Sequence, residues 1–463
     1  MWDKTLIRAF WFYYIYYIYM DSVTRLKQVT LLLGDIVLLY VALLLTLLVR
    51  YFSISPSVLQ ANVIPFSIIF IFWLLPIYIG GFYDLKTLKN SIFFVKKVTV
   101  LIATNSLISV MLFYLFPIFG ITPRINLFIF IAIFGASINL WRRFYNNLLT
   151  TERPSTKVLL VGYNQTTQEL VDYINQNPQF GFEINFWMKE GLQDKEIKHL
   201  SQILLDNKIN LIVVPAHIKQ SVKAAKIIYK NLTMGIEVWD LAKLYEAVFK
   251  KIPLAELEEM WFLDNVAKSA TIYEMLRRPV EILLAGVLSV FLVPLTAFVA
   301  IFIKLTSKGP IIFSQTRVGQ GGREFQIYKF RTMPIDAEKN GPQWSDANDR
   351  RATFIGNILR KTHLDELPQL YNIFRGDISL VGPRPERPEF VEQLKKEVPF
   401  YELRLIVRPG ITGWAQINYK YGASVEDTCE KLEYDMFYLK NRSLLLDFLI
   451  ILRTVKYFFL TIR

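Results

Sequence analysis

The chain has one cysteine, Cys429, and three histidines among its 463 residues. A single thiol excludes an intramolecular disulfide framework and fits a reducing compartment. So few imidazoles and thiols also leave no spacing for a zinc site or a Cys-His nucleophile. RNP-type aromatic motifs are missing, so the formal charge of +13 is not read as a nucleic-acid footprint. The glycine fingerprint GxGxxG is absent too, and with it the motif support for a bound dinucleotide. No small-residue cleavage site follows the first apolar run, which is therefore read as retained. What the chain has in abundance is apolar surface: 53% of its residues are hydrophobic and 15% aromatic, with a mean hydropathy of +0.30. In a chain this apolar, excess Lys and Arg point to cytoplasmic flanks of membrane segments and to anionic lipid.

Four long apolar runs occupy residues 28–49, 62–82, 98–119 and 125–141, each near the ~20 residues a spanning helix needs. Lys4, Arg8, Arg25 and Lys27 precede the first; Lys86, Lys89, Lys96 and Lys97 separate the second from the third; Arg142 and Arg143 follow the fourth. The other two connections hold only Arg50 and Arg124. Positive charge stays on the cytoplasmic side, so the N-terminus and everything after residue 142 are expected there. Tyr13, Tyr14, Tyr16, Tyr17 and Tyr19 suggest an interfacial aromatic belt. Charged residues do not recur within these four runs as a transport pathway requires.

A fifth run, ILLAGVLSVFLVPLTAFVAIFI (282–303), has Arg277 and Arg278 before it and Lys304 and Lys308 after it. Both ends thus prefer the same face of the bilayer. Pro294, past its middle, removes a backbone donor and kinks a helix. These facts predict a re-entrant hairpin over 279–305, entering and leaving by the cytoplasmic face.

Between the runs, TKVLLVGYNQTTQELVDYIN (156–175) reads as strand, turn at Gly162 and helix, and INLIVVP (209–215) and IEVWDL (236–241) as further short strands. The alternation predicts a small open parallel sheet, structural or regulatory in role. Residues 241–275, with Glu256, Glu258 and Glu259 near Trp261, read as a linker or docking segment.

Charge becomes dense from about residue 306. GPIIFSQTRVGQGGREFQIYKFRTM (309–333) reads as paired strands around a Gly-rich turn, bearing Arg317, Arg323, Lys329 and Arg331. A basic strand of this kind suits solvent, lipid headgroups or phosphates. Then comes HLDELPQLYNIFRGDISLVGPRPE (363–386). Pro368 is tolerated only in a helix's first turn, so Asp365 and Glu366 are expected at a helix start, where negative charge is favoured. An Asp cap explains Asp365 alone. It does not explain a second acid surrounded by Arg360, Lys361, Arg375, Arg384 and Arg387. An ionised carboxylate beside a metal ion and several guanidiniums is what nucleophilic attack on a phosphoryl group needs, because the cations neutralise oxyanions that would repel it. His363 is read as a positioning or capping residue and Asp377 as closing a turn.

LDELPQL with RGDISLVGPRPE, preceded by FQIYKFRTM and followed by RPGITGWAQI and EYDMFYLKNRSLLLD, resembles the bacterial sugar transferase family, the monotopic polyprenyl-phosphate phosphoglycosyl transferases. The likeness runs from about Arg277 to the C-terminus, and the N-terminal layout resembles the family's large subclass. It implies a membrane-anchored α/β protein: a four-helix transmembrane region (1–150), a Rossmann-like domain (151–245), a linker (246–276) and an α/β catalytic domain (277–463) with a re-entrant membrane helix hairpin. It further implies that Asp365 attacks the β-phosphate of a UDP-sugar, releasing UMP, and that polyprenyl phosphate then takes the sugar phosphate. Glu366 would bind Mg2+ with Asp365 or handle a proton; Arg384, Arg360, Arg375, Lys329 and Arg331 would hold phosphates. Val293 stands where the family often has serine before the proline. The implied setting is the bacterial inner membrane, catalytic domain on the cytoplasmic face. The tail, 443–460, is expected in the interface. Sugar choice is expected in loops 334–350 and 416–430, and oligomeric state stays open. A membrane-bound scaffold sensing a nucleotide, and a glycosyltransferase releasing UDP, are the alternatives.

Overall fold

Apolar side chains dominate the first 150 residues, and they form helices. The structure is a computed structural model and describes residues 4–83, 92–115, 124–151, 156–189, 200, 202–215, 235–266, 271–306, 309–334, 351–419 and 424–460, without the side chains of 4–26, 93, 114–115, 124, 149–151, 271–272 and 456–460. The side chains of the tyrosines between 13 and 19, and the whole of Lys86, Lys89, Lys308, residues 335–350 and residues 420–423, fall outside that description. Two compact units emerge: Met1–Val213 with Lys226–Val238, and Trp239–Arg463 with Val214–Ala225.

In the first unit, α1 (Lys4–Tyr51), α2 (Pro56–Ile79), α3 (Ile92–Leu115) and α4 (Arg124–Thr151) match the four apolar runs, though α2 and α3 begin several residues earlier and α4 ends later than the runs suggest. Each holds a stretch long and apolar enough to cross a membrane. Leu31, Asp35, Leu39, Leu43 and Leu47 form one buried stripe of α1 at four-residue spacing, while Leu33, Val37, Leu44 and Leu48 stay exposed on its other faces. A helix apolar on every face but buried on one suits a bundle surrounded by lipid. Phe66, Phe70, Trp73, Phe130 and Phe134 fill the core between α2 and α4.

Polar bonds tie the helices across that core. Trp73 Nε1 donates to Ser109 Oγ at 2.7 Å, and Asn126 Nδ2 to Asn62 Oδ1 at 3.0 Å. Arg142, counted above as a cytoplasmic flank, is instead buried: it pairs with Asp35 and donates to Phe82 O at 2.6 Å. Tyr83 completes the group, donating to Asp35 Oδ2 at 2.9 Å. Asp35 lies inside the first apolar run, so that run does hold a charge, matched by a partner from α4.

After the helices come β1 (Thr156–Val161), α5 (Gln165–Gln176), β2 (Phe182–Met188), β3 (Leu211–Val214) and β4 (Glu237–Asp240), in the sheet order β2-β1-β3-β4. β1 pairs parallel with both β2 and β3. Gly162 turns the chain at φ +86°, and Asn164 opens α5 with a reciprocal capping box to Thr167. β2 was not expected from the sequence.

In the second unit, α6 (Leu241–Phe249) is followed by α7 (Thr271–Thr306), a 36-residue helix continuous through Pro279 and Pro294. β5 (Ile312–Val318) and β6 (Glu324–Phe330) pair antiparallel around a turn whose Gly321 and Gly322 have φ of +66° and +77°, a backbone shape glycine adopts without strain. Among its further elements are α8 (Phe354–Lys361), α9 (Gln369–Arg375), β7 (Ser379–Val381), α10 (Pro388–Glu397), β8 (Gly410–Thr412), α11 (Val425–Asn441) and α12 (Leu444–Leu460). β7 and β8 pair parallel. Along α7, Ala285 packs with Ile373 and Ile378, whereas Val299 and Ile303 pack with Phe330 and Leu359. Between these patches Val290, Phe291 and Val293 are 73%, 77% and 59% exposed.

Candidate active site

Asn372, fully buried on α9, is the joint that assembles the site. Its Nδ2 donates to Gln326 O at 2.7 Å, and its Oδ1 accepts from Tyr328 N at 3.1 Å. One side chain thereby replaces a neighbouring strand for β6 and locks α9 onto the hairpin. The turn preceding α9 is then held beside Lys329. That turn, a 3-10 helix at Leu364–Glu366, carries both acids. They do not lie inside α9; His363 enters the turn with φ +52° and Pro368 caps the helix after it.

Glu366 Oε1 receives two cations, Lys329 Nζ at 2.8 Å and Arg384 Nη2 at 2.7 Å. Arg384 and Lys329 overcome the cost of burial and hold the Glu366 carboxyl well below the usual carboxylate range. Asp365 is buried as well, but no side chain donates a hydrogen bond to it among the described residues. Burial pushes its carboxyl up to about 6, Glu366 pushes it the same way, and Lys329 and Arg384 pull it down. Adjacent acids whose proton affinities are driven apart are suited to different tasks. Burial also pushes the His363 imidazolium down, against the pull of Glu366.

Arg384 is aimed by the loop after β7. Gly382 there lies so close to the 408–410 backbone that a Cβ would come within 2.5 Å of Arg408 O, so only glycine permits this loop path. Arg404 Nη2 donates to Arg384 O at 3.0 Å, and Arg404 is itself fixed by Asp435 at 3.0 Å and by Tyr401 Oη at 2.8 Å. From β5, Arg317 donates to Pro385 O at 3.1 Å, and its charge is felt alongside those of Arg384 and Glu366.

The structure thus brings together Asp365, Glu366, Lys329 and Arg384. Arg360 lies in the last turn of α8, leading into the acid-bearing turn, and Arg331 directly follows β6. Arg375 lies at the far end of α9 from the acids, 3.2 Å from Asp377. Asp377 also accepts from Asn372 at 3.0 Å, which fits its expected part in a turn. Arg404, Asp435 and Asn372 were missed as site residues, although Asp435 falls within the motif EYDMFYLKN.

The comparisons with known proteins bear on this constellation. Residues 272–461 match the family described as bacterial sugar transferase. Over 343 residues the chain is 30% identical to the UDP-glucose:undecaprenyl-phosphate glucose-1-phosphate transferase of Xanthomonas campestris pv. campestris, covering 69% of this chain and 70% of that relative. The chain belongs to the bacterial sugar transferase family. It is also 43% identical over 221 residues to the UDP-N-acetylgalactosamine-undecaprenyl-phosphate N-acetylgalactosaminephosphotransferase of Aeromonas hydrophila, covering 48% of this chain and 52% of the relative. With the UDP-glucose:undecaprenyl-phosphate glucose-1-phosphate transferase of Escherichia coli (strain K12) it shares 31% identity over 313 residues, 64% of this chain and 66% of the relative. The chain thus spans only about half of the Aeromonas relative's length. Every side chain of the acid and cation cluster lies inside the matched sugar transferase segment.

Proposed function

We propose that this bacterial sugar transferase moves a sugar 1-phosphate from a UDP-sugar to polyprenyl phosphate, with Asp365 as nucleophile. The observation that carries this reading is the division of labour between the acids. Glu366 takes Lys329 and Arg384 on one oxygen, while Asp365, one residue away, has no side-chain donor among the described residues. In the first step a carboxylate oxygen of Asp365 bonds to the β-phosphorus. The bond from that phosphorus to the bridging oxygen breaks, and its electron pair leaves with UMP. In the second step an oxygen of polyprenyl phosphate bonds to the same phosphorus and the bond to Asp365 breaks, restoring the carboxylate. Lys329 and Arg384 neutralise the oxyanions through both steps. Arg360, in the last turn of α8, and Arg331, just after β6, are assigned to the phosphates as well; Arg375, held by Asp377, is left out of this assignment.

Among the described residues no three His, Cys, Asp or Glu side chains cluster as a metal cage. Mg2+ is commonly held by one or two carboxylates together with substrate phosphates, and Asp365 with Glu366 fits that mode. Bound there, the ion would supply Lewis-acid neutralisation of the donor's phosphates. Glu366, ionised and tied to two cations, suits charge positioning better than proton transfer.

Membrane placement of α7 belongs to the same proposal. Two packing patches on one protein body, with an exposed apolar stretch between them, suit a helix that dips into the bilayer at Pro294 and returns. Pro294 removes one backbone donor from this stretch and leaves Val290 O without its helical partner. The site would face the cytoplasm, at the level where a lipid phosphate meets a soluble nucleotide. The leaving nucleotide tests the reaction. With UDP-sugar labelled at the β-phosphorus, UMP should be released and the label should enter the lipid; release of UDP would overturn the proposal.

A further inference from the structure

A second cationic site lies at the other end of α9 from the acids. A cavity of about 630 Å³ opens there, lined by Arg277, Arg278, Arg408 and Arg442 with Glu274 as its one acid. Two of the four guanidiniums hydrogen-bond to a protein carboxylate. Arg277 Nε donates to Glu281 at 2.9 Å, and Arg442 Nη1 to Glu274 at 2.9 Å. Arg278 donates one nitrogen to Phe374 O at 3.1 Å, but its Nη1 is buried without a hydrogen-bond partner, 3.9 Å from a Glu281 already engaged. Arg408 makes no side-chain hydrogen bond or ion pair among the described residues, and its charge acts directly on Arg278. Two like charges with spare donors facing one cavity favour an anion between them, and guanidinium forks match phosphate oxygens.

The rest of the lining says what kind of anion. Phe262, Leu263, Ile406 and Val407 supply an apolar wall, of which Leu263 is 61% and Ile406 46% exposed. Directly after Arg277 and Arg278, α7 enters its apolar run, with Leu283 67% exposed. Arginines at the junction of a polar and an apolar helix segment sit at headgroup depth.

We propose that this cavity binds the phosphate headgroup of an anionic membrane phospholipid, gripped by Arg278 and Arg408, with the lipid's stem along the apolar wall. The site rests on the membrane placement of α7 proposed above and is independent of the phosphotransfer chemistry. It holds the base of α7 at a fixed depth.

The test is native mass spectrometry of the full chain released from nanodiscs of phosphatidylcholine with and without phosphatidylglycerol. The wild-type chain should retain a phosphatidylglycerol and no phosphatidylcholine. Arg408→Gln should lower that retention at least about tenfold, since a charged partner is lost, and Arg278→Gln with Arg408→Gln should abolish it. Lys395→Gln with Lys396→Gln, which removes equal charge from α10, should leave it intact. Should Arg408→Gln fail to fold, Arg408→Lys carries the same comparison, keeping charge but losing the fork. Equal retention in the Arg408 variants, or retention of phosphatidylcholine, would overturn the site. Displacement by equimolar inorganic phosphate would make it a site for soluble anions, and displacement by equimolar polyprenyl phosphate an acceptor site; either would overturn the phospholipid assignment.

Discussion

At the scale of single residues, the site depends on charges that are buried and paired in sequence-distant couples. Arg404 is the clearest case: it touches Asp435 and Tyr401, and through Arg384 O it sets the loop that presents the Arg384 guanidinium. Asp435→Asn removes the counter-charge of a buried guanidinium, a loss of about 3–5 kcal/mol, readable as a lowered denaturant midpoint. Replacing both partners, Arg404→Met with Asp435→Leu, should recover much of that stability. Turnover should stay low in the double variant, because Arg384 O has lost its donor; recovery of both together would show that Arg404 only stabilises. Asp365, Glu366 and Arg384 could be picked out from sequence because acids and guanidiniums crowd one short segment next to a helix-starting proline. Arg404 and Asp435 could not, since each resembles an ordinary surface charge until folding brings them together. Asn372 was hidden for a similar reason: its two backbone partners lie on β6, far away in the chain.

At the scale of elements, run length and flanking charge located the apolar helices well, because a helix that crosses or enters lipid must be long and apolar whatever else it does. Their ends were less legible. Pro56 begins α2 at a position where proline is favoured, before the apolar run is obvious. β2 escaped notice because four of its seven residues are half-buried in a row, with neither a continuous apolar run nor a clean alternation. α7 carries the main prediction at this scale. In a Cys429→Ser background, Met275→Cys and Lys304→Cys flank the apolar stretch at exposed positions, and Phe291→Cys sits in its middle. A membrane-impermeant maleimide should label positions 275 and 304 from the same face of sealed vesicles and leave 291 unlabelled. Labelling of 275 and 304 from opposite faces would make α7 a span.

For the molecule as a whole, the two units answer to different physics. Polar contacts are sparse in the helical part of the first unit, and Asp35 with Arg142 joins α1 to α4 at zero and 1% exposure. Asp35→Asn should therefore cost about 3–5 kcal/mol of bundle stability, as an unpaired buried charge does, measured by unfolding in detergent. Asp35→Leu with Arg142→Met should cost less. Counting charges by loop could not foresee this, because Arg142 looks like every other flanking cation until Asp35 is placed opposite it. All the residues assigned to phosphotransfer, by contrast, belong to the second unit, the part that carries the family's match. The measurement that tests their chemistry most directly is the intact mass of the purified full chain after exposure to a panel of UDP-sugars without lipid acceptor. With the correct sugar, the chain should gain the mass of one sugar phosphate, located on Asp365, lost on adding polyprenyl phosphate and never formed by Asp365→Asn. Steady release of UMP from a chain whose mass never changes would contradict it.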